Sequence, residues 1–216
     1  MKIEKVILMS SLLLFSATAF AEDVPKFEIF GDYSYMHFNP TVTGLQSRAF
    51  NGGGGGVQAN FGRFLGIKGE FQGYGSTQWT TTVTSPIGTP NGIIPVGTYT
   101  SNANMFTYLF GPTVGFHTKR LYGYAEVLFG GSNTNGYADL SNALIVGGPV
   151  KAAGTQHPFT MAVGGGVDFN VSRNLAFRLG EFDWILTRYT NPITDTNNQH
   201  SFRYLGGIVF KFGGQQ

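Results

Sequence analysis

Of 216 residues only 12% are charged, about half the share of an ordinary soluble domain, whereas 32 are Gly, 20 are Phe and 10 are Tyr. A surface dissolved in water needs more charge than this, and a formal net charge of +2 offers no basic field for nucleic acid. The absence of Cys excludes a disulfide scaffold and also the lipid-modified Cys of a bacterial lipoprotein.

In chain order, the first segment reads as an export signal. Lys2 and Lys5 give a positive start, the stretch from Val6 to Phe20 is mostly apolar, and Ala19-Phe20-Ala21 has the small-x-small form of a cleavage site. Ser10, Ser11, Ser16 and Thr18 interrupt the apolar stretch, which falls short of the roughly 20 residues of a spanning helix. Residues 1–21 are therefore expected to be a cleaved signal peptide and 22–216 a single domain. Removing those 21 residues leaves 195, with 12 basic and 11 acidic side chains, a size suited to one domain of about eight strands. No later segment has the apolar run of a membrane helix. The remaining structure that satisfies every backbone group in hydrocarbon is a closed barrel.

Barrel strands alternate apolar toward lipid and polar or small toward the lumen over about ten residues. The first strand, Phe27 to Phe38, sends Phe27, Ile29, Tyr33 and Tyr35 outward and Glu28, Asp32 and Ser34 inward. The second, about Gly53 to Phe61, has Val57, Ala59 and Phe61 outward and Gln58 and Asn60 inward. In the third, Gly66 to Gly75, Lys68, Glu70 and Gln72 point inward. The fourth, Asn104 to Phe116, puts Phe106, Tyr108, Phe110, Val114 and Phe116 on one face, with Pro112 marking a bulge or weak point.

The fifth strand, Leu121 to Gly131, turns Tyr122, Tyr124 and Glu126 inward, and the sixth, Phe159 to Asn170, turns Thr160 and Asp168 inward. In the seventh, Leu175 to Tyr189, Arg178 and Asp183 have opposite parity, which requires a β-bulge near Gly180 to Phe182. The eighth, Ser201 to Phe212, sends Phe202, Tyr204, Ile208, Phe210 and Phe212 outward and Arg203 and Lys211 inward. It closes on the first strand, so Arg203 and Lys211 are expected to meet Glu28 and Asp32 across the seam. Short turns at 62–65, 117–120 and 171–174 alternate with long loops at 39–52, 76–103, 132–158 and 190–200. Short-long alternation gives up-and-down topology, with the short turns periplasmic and the long loops outside. The fold class is thus all-β, an eight-stranded antiparallel up-and-down transmembrane β-barrel.

The opening Phe27-Glu28-Ile29-Phe30-Gly31-Asp32-Tyr33-Ser34-Tyr35 resembles the first strand of the OmpA/OmpX-type outer-membrane β-barrel domain family. So do Phe110-Gly111-Pro112, the run Gly164 to Asp168 followed by Arg178, the run Asp183 to Tyr189, and the closing Phe202 to Phe212. The resemblance implies a bacterial outer-membrane protein in contact with lipid and lipopolysaccharide, inserted by the barrel-assembly machinery. Family members commonly end on an aromatic that this machinery reads. Here Gly213 to Gln216 follow Phe212, so Phe210 and Phe212 would be an internal version of the signal.

The inward charged set, Glu28, Asp32, Lys68, Glu70, Glu126, Asp168, Arg178, Asp183, Arg203 and Lys211, reads either as a transport path or as structural ion pairs. Eight strands enclose a lumen that side chains fill, which favours ion pairs. His37, His117, His157 and His200 are scattered without a ligand spacing. The run Gly52 to Gly56 lacks the G-K-[ST] ending of a phosphate loop and reads as a loop-to-strand junction. Trp79 falls in the second long loop, whereas Trp184, with Tyr33, Tyr35, Tyr108, Tyr189 and Tyr204, suits an interfacial girdle.

No catalytic residue, metal ligand or cofactor is expected. The function implied is a non-enzymatic barrel that supports the outer membrane and presents loops to an extracellular ligand. The alternatives are a lipid A-modifying enzyme, for which His200, Ser201 and Glu181 or Asp183 lie near the rim, and a narrow porin-like channel.

Overall fold

The computed structural model describes residues 24–39, 47–89, 92–134, 157–188 and 198–214. The predicted signal peptide and the centres of three long loops lie outside them. Eight long strands form a closed barrel: β1 (Phe27–Phe38), β2 (Arg48–Phe61), β3 (Leu65–Val83), β6 (Gly97–His117), β7 (Leu121–Thr134), β8 (Phe159–Asn170), β9 (Leu175–Arg188) and β10 (Asn198–Phe212). Two short strands, β4 (Ile87–Thr89) and β5 (Gly92–Ile94), make a small hairpin between β3 and β6. Each barrel strand pairs antiparallel with its neighbours. β1 and β10 seal the seam along their length, from Phe27 opposite Phe212 to Phe38 opposite Ser201, leaving no edge in the sheet.

Two residue populations arise because a strand turns alternate side chains to opposite faces. In β1 the odd positions are exposed and Glu28, Phe30, Ser34, Met36 and Phe38 are buried. Outside the barrel stand large apolar side chains, among them Phe71, Phe110, Phe182 and Phe202. Inside are nearly all the buried charges. This is the reverse of a water-soluble protein and fits a wall with lipid on its outer side.

Four local features depart from strict alternation or from the sequence reading. The predicted bulge exists one step earlier than expected, at Leu179 and Gly180, where β9 carries an extra residue against both neighbours. Arg178 and Glu181 both face the lumen as a result. Pro112 makes no bulge. It stays opposite Ile67, and the β6–β7 ladder runs from Phe110–Phe129 to Thr113–Glu126 with unchanged register, interrupted at Gly111 and at Pro112, which has no N–H to give.

The second long loop is largely strand. β3 and β6 continue as a paired ribbon from Thr77–Ala103 to Val83–Gly97 after a register shift beyond Tyr74, so Trp79 belongs to β3 rather than to a loop. Three other barrel strands, β2, β7 and β10, also run further into the predicted loops, β2 and β10 starting at Arg48 and Asn198 and β7 ending at Thr134. Finally, Gly52 to Gly56 lie inside β2, not at its junction. A Cβ on Gly56 would meet the Phe30 ring at 2.6 Å, and one on Gly54 would meet the Gln72 amide at 2.6 Å. The inward glycines give these two side chains room to lie across the wall.

Candidate functional site

The lumen is where the sequence concentrates its chemistry, and it is organised in layers. At its centre Lys68 from β3 donates through Nζ to Glu181 at 2.7 Å and to Glu126 at 3.1 Å, and lies 3.2 Å from Glu70. Arg178 reaches Asp168 at 3.0 Å and Glu181 at 2.8 Å. Arg203 contacts Glu70 at 2.5 Å and Asp183 at 2.6 Å, and stands 3.8 Å from Glu181. The Tyr124 hydroxyl donates to the same Glu181 carboxylate. All eight charged members are buried. The Arg178 guanidinium also covers the Phe30 ring at 4.4 Å, in the range of a cation–π contact.

Smaller polar groups flank this network. Toward the short turns, Glu28 accepts from Asn60 at 3.1 Å and lies 3.9 Å from His117, whose ring stacks on Tyr122 at 3.9 Å. Lys211 sits directly opposite Glu28 in the ladder but donates to Asn170 at 2.6 Å, and Gln58 donates to the Tyr122 hydroxyl at 2.9 Å. Toward the long loops, Asp32 accepts from Gln72 at 2.7 Å, and the Ser34 and Tyr74 hydroxyls are 2.9 Å apart. An apolar layer closes that side: Met36, Phe38, Phe50 and Met105 are buried, with Phe38 and Phe50 edge to face at 5.4 Å. Leu109, Leu128, Ala162 and Ile185 form a further inward cluster.

Seven of the ten predicted interior charges, Lys68, Glu70, Glu126, Asp168, Arg178, Asp183 and Arg203, therefore share one network. Across the seam Lys211 stands opposite Glu28, whereas Arg203 stands opposite Met36 and pairs with Asp183, its direct neighbour across the β9 ladder, and with Glu70 of β3 rather than with Asp32. Glu181 is the member that sequence reasoning missed. Its place in the chain suggests the outer rim, whereas the bulge carries it to the centre, where it pairs with Lys68, Arg178 and Arg203 and accepts from Tyr124.

Chemically, the arrangement pairs its cations with carboxylates and fills the lumen. With Glu181 included, the interior holds seven carboxylate side chains against Lys68, Arg178, Arg203 and Lys211. Glu70, Glu126 and Glu181 offer oxygens within 4.8 Å of one another, a spacing suited to a cation, and the Lys68 ammonium already occupies that position. His200 and Ser201 face opposite sides of β10. Ser201 is buried, while His200 is exposed and its ring stacks on Trp184 at 5.1 Å. They form no nucleophile–base pair.

No protein-family model and no curated protein matches the sequence. The likeness to known proteins lies in shape. Neisserial surface protein A superposes with a TM-score of 0.57 at 12% identity, over 88% of this chain and 100% of that one. The outer membrane protein OprG from Pseudomonas aeruginosa superposes with a TM-score of 0.50 at 11% identity, over 88% of this chain and 97% of that one. In outline the chain thus shares with these proteins the fold of a small outer-membrane β-barrel, eight antiparallel strands closed on themselves.

Proposed function

We propose that the chain is a non-enzymatic outer-membrane barrel that contributes to the integrity of the membrane and presents its long loops for contacts at the cell surface. The observation that carries this reading is the filled lumen. A buried ion network at the centre and the layer of Met36, Phe38, Phe50 and Met105 leave the interior packed, so the working surfaces are the lipid-facing wall and the loops. The segments 39–52, 76–103, 132–158 and 190–200 face outside in this reading, and the short turns face the periplasm. Lipid and lipopolysaccharide surround the wall, an extracellular ligand docks on the loops, and the barrel-assembly machinery reads Phe210 and Phe212, both exposed on the closing strand.

Proteolysis of intact cells tests compartment and topology together. Cleavage confined to the long loops is expected, and cleavage in the short turns of unbroken cells would overturn the orientation. Purified protein in planar bilayers is expected to add no conductance above empty membrane, and discrete conductance steps would restore the channel reading. Lipid A mass spectra are expected to be the same with and without expression, and a modified species would restore the enzyme reading.

A further inference from the structure

We infer that the short-turn rim is a docking surface for the phosphate headgroups of anionic phospholipid in the leaflet around it, an inference that rests on the membrane reading above. A cation stands at each of the four corners of this rim. Lys26 precedes β1, Arg63 lies in the β2–β3 turn, Lys119 and Arg120 in the β6–β7 turn, and Arg173 in the β8–β9 turn. Among the described residues these turns contain no acid, and Lys26, Lys119, Arg120 and Arg173 are exposed without a carboxylate partner. The acids nearest in sequence within the strands, Glu28 and Asp168, are buried in the lumen. Glu22 and Asp23 lie outside the described residues; subtracting both from the five cations still leaves a rim charge of +3.

The rim is held in place by backbone hydrogen bonds that run from turn to neighbouring strand. Asn60 N–H donates to Lys26 at 2.9 Å, Gly115 to Phe64 at 2.8 Å, Asn170 to Arg120 at 2.8 Å and Lys211 to Asn174 at 2.9 Å. Phe27, Phe61, Phe64, Phe116 and Phe169 are exposed on the wall beside these cations. Aromatic side chains in the acyl region with basic ones just beyond fix the cations at headgroup depth. The opposite end differs, since its four long-loop segments carry Arg48 and Lys151 against Asp139 and Asp195, a net charge of zero. Charge complementarity therefore favours the phospholipid leaflet at the short-turn end, where clustered basic residues attract anionic headgroups.

The test uses the full chain in phosphatidylcholine vesicles with trace spin-labelled phosphatidylglycerol or spin-labelled phosphatidylcholine, read as the motionally restricted fraction of each. At low salt phosphatidylglycerol is expected to be preferred by roughly threefold or more. The preference should collapse toward unity at about 1 M salt. It should also collapse in the variant combining Lys26→Gln, Lys119→Gln, Arg120→Gln and Arg173→Gln, with heat-modifiable gel migration retained. Equal restriction of the two lipids by the unmodified chain at low salt overturns the inference, whether or not the variant folds. Loss of the preference on adding soluble peptidoglycan fragments also overturns it, by making the cell wall the better occupant. Absence of heat-modifiable migration in the unmodified chain instead removes the barrel reading beneath it.

Discussion

Glu181 accepts hydrogen bonds from Lys68, Arg178 and Tyr124 where water does not reach. Removing one partner from a buried charge network strands the others, at about 3–5 kcal/mol. Glu181→Gln is therefore expected to lower the unfolding free energy by about that amount, measured by urea titration of the protein in lipid vesicles. Glu126 is a contrasting case, because among the described residues it pairs with Lys68 alone and the lumen holds more carboxylates than cations. Glu126→Gln keeps an oxygen for Lys68 and is expected to cost no more than about 1 kcal/mol. Equal costs for the two variants would show that the network is not centred on Glu181. Inward charges such as Lys68 and Asp168 were legible because each sits among apolar neighbours at the opposite parity. Glu181 was not, because its side of the wall depends on which residue of β9 is the extra one.

That extra residue belongs to the scale of the strand. Arg178 and Asp183 conflict in parity, so a bulge was readable, but its position was not: moving it by one residue reassigns Glu181 and leaves both anchors inward. Deleting Leu179 removes the extra residue and leaves strict alternation with Ala176, Arg178, Glu181 and Asp183 all still inward. Retention of the heat-modifiable band is therefore expected, whereas deleting Phe182, which turns either Glu181 or Asp183 toward lipid, should abolish it. Loss of the band on deleting Leu179 would place the register control elsewhere. The β3–β6 ribbon was illegible for a different reason. Register is specified strongly where one face is buried, and residues 75–104 are uncharged and rich in Thr, Gly, Ser and Pro, a composition shared by loops. Gly52 to Gly56 misled similarly, since glycine weakens a strand unless another group needs its space. Here Phe30 and Gln72 need it, and both come from neighbouring strands.

For the whole molecule, inside and outside are exchanged relative to a soluble protein: ion pairs occupy the centre and aromatics the surface. That exchange sets how a new charge is tolerated at each depth. Phe110 lies midway along the barrel part of β6, opposite Gly69 and Phe129, and is 64% exposed. Phe116 is on the same outward face one residue before the short-turn end and stacks on Phe64 at 6.4 Å. In a bilayer, Arg costs about 2–4 kcal/mol on the lipid face at the midplane and about 0–1 kcal/mol near the interface. Phe110→Arg is therefore expected to destabilise the vesicle-inserted protein by about 2–4 kcal/mol more than Phe110→Ala, while Phe116→Arg should match Phe116→Ala within about 1 kcal/mol. In water an exposed Phe replaced by Arg would carry little penalty at either position. A flat response to depth, read from urea unfolding of the four variants, would mean that acyl chains do not surround this wall.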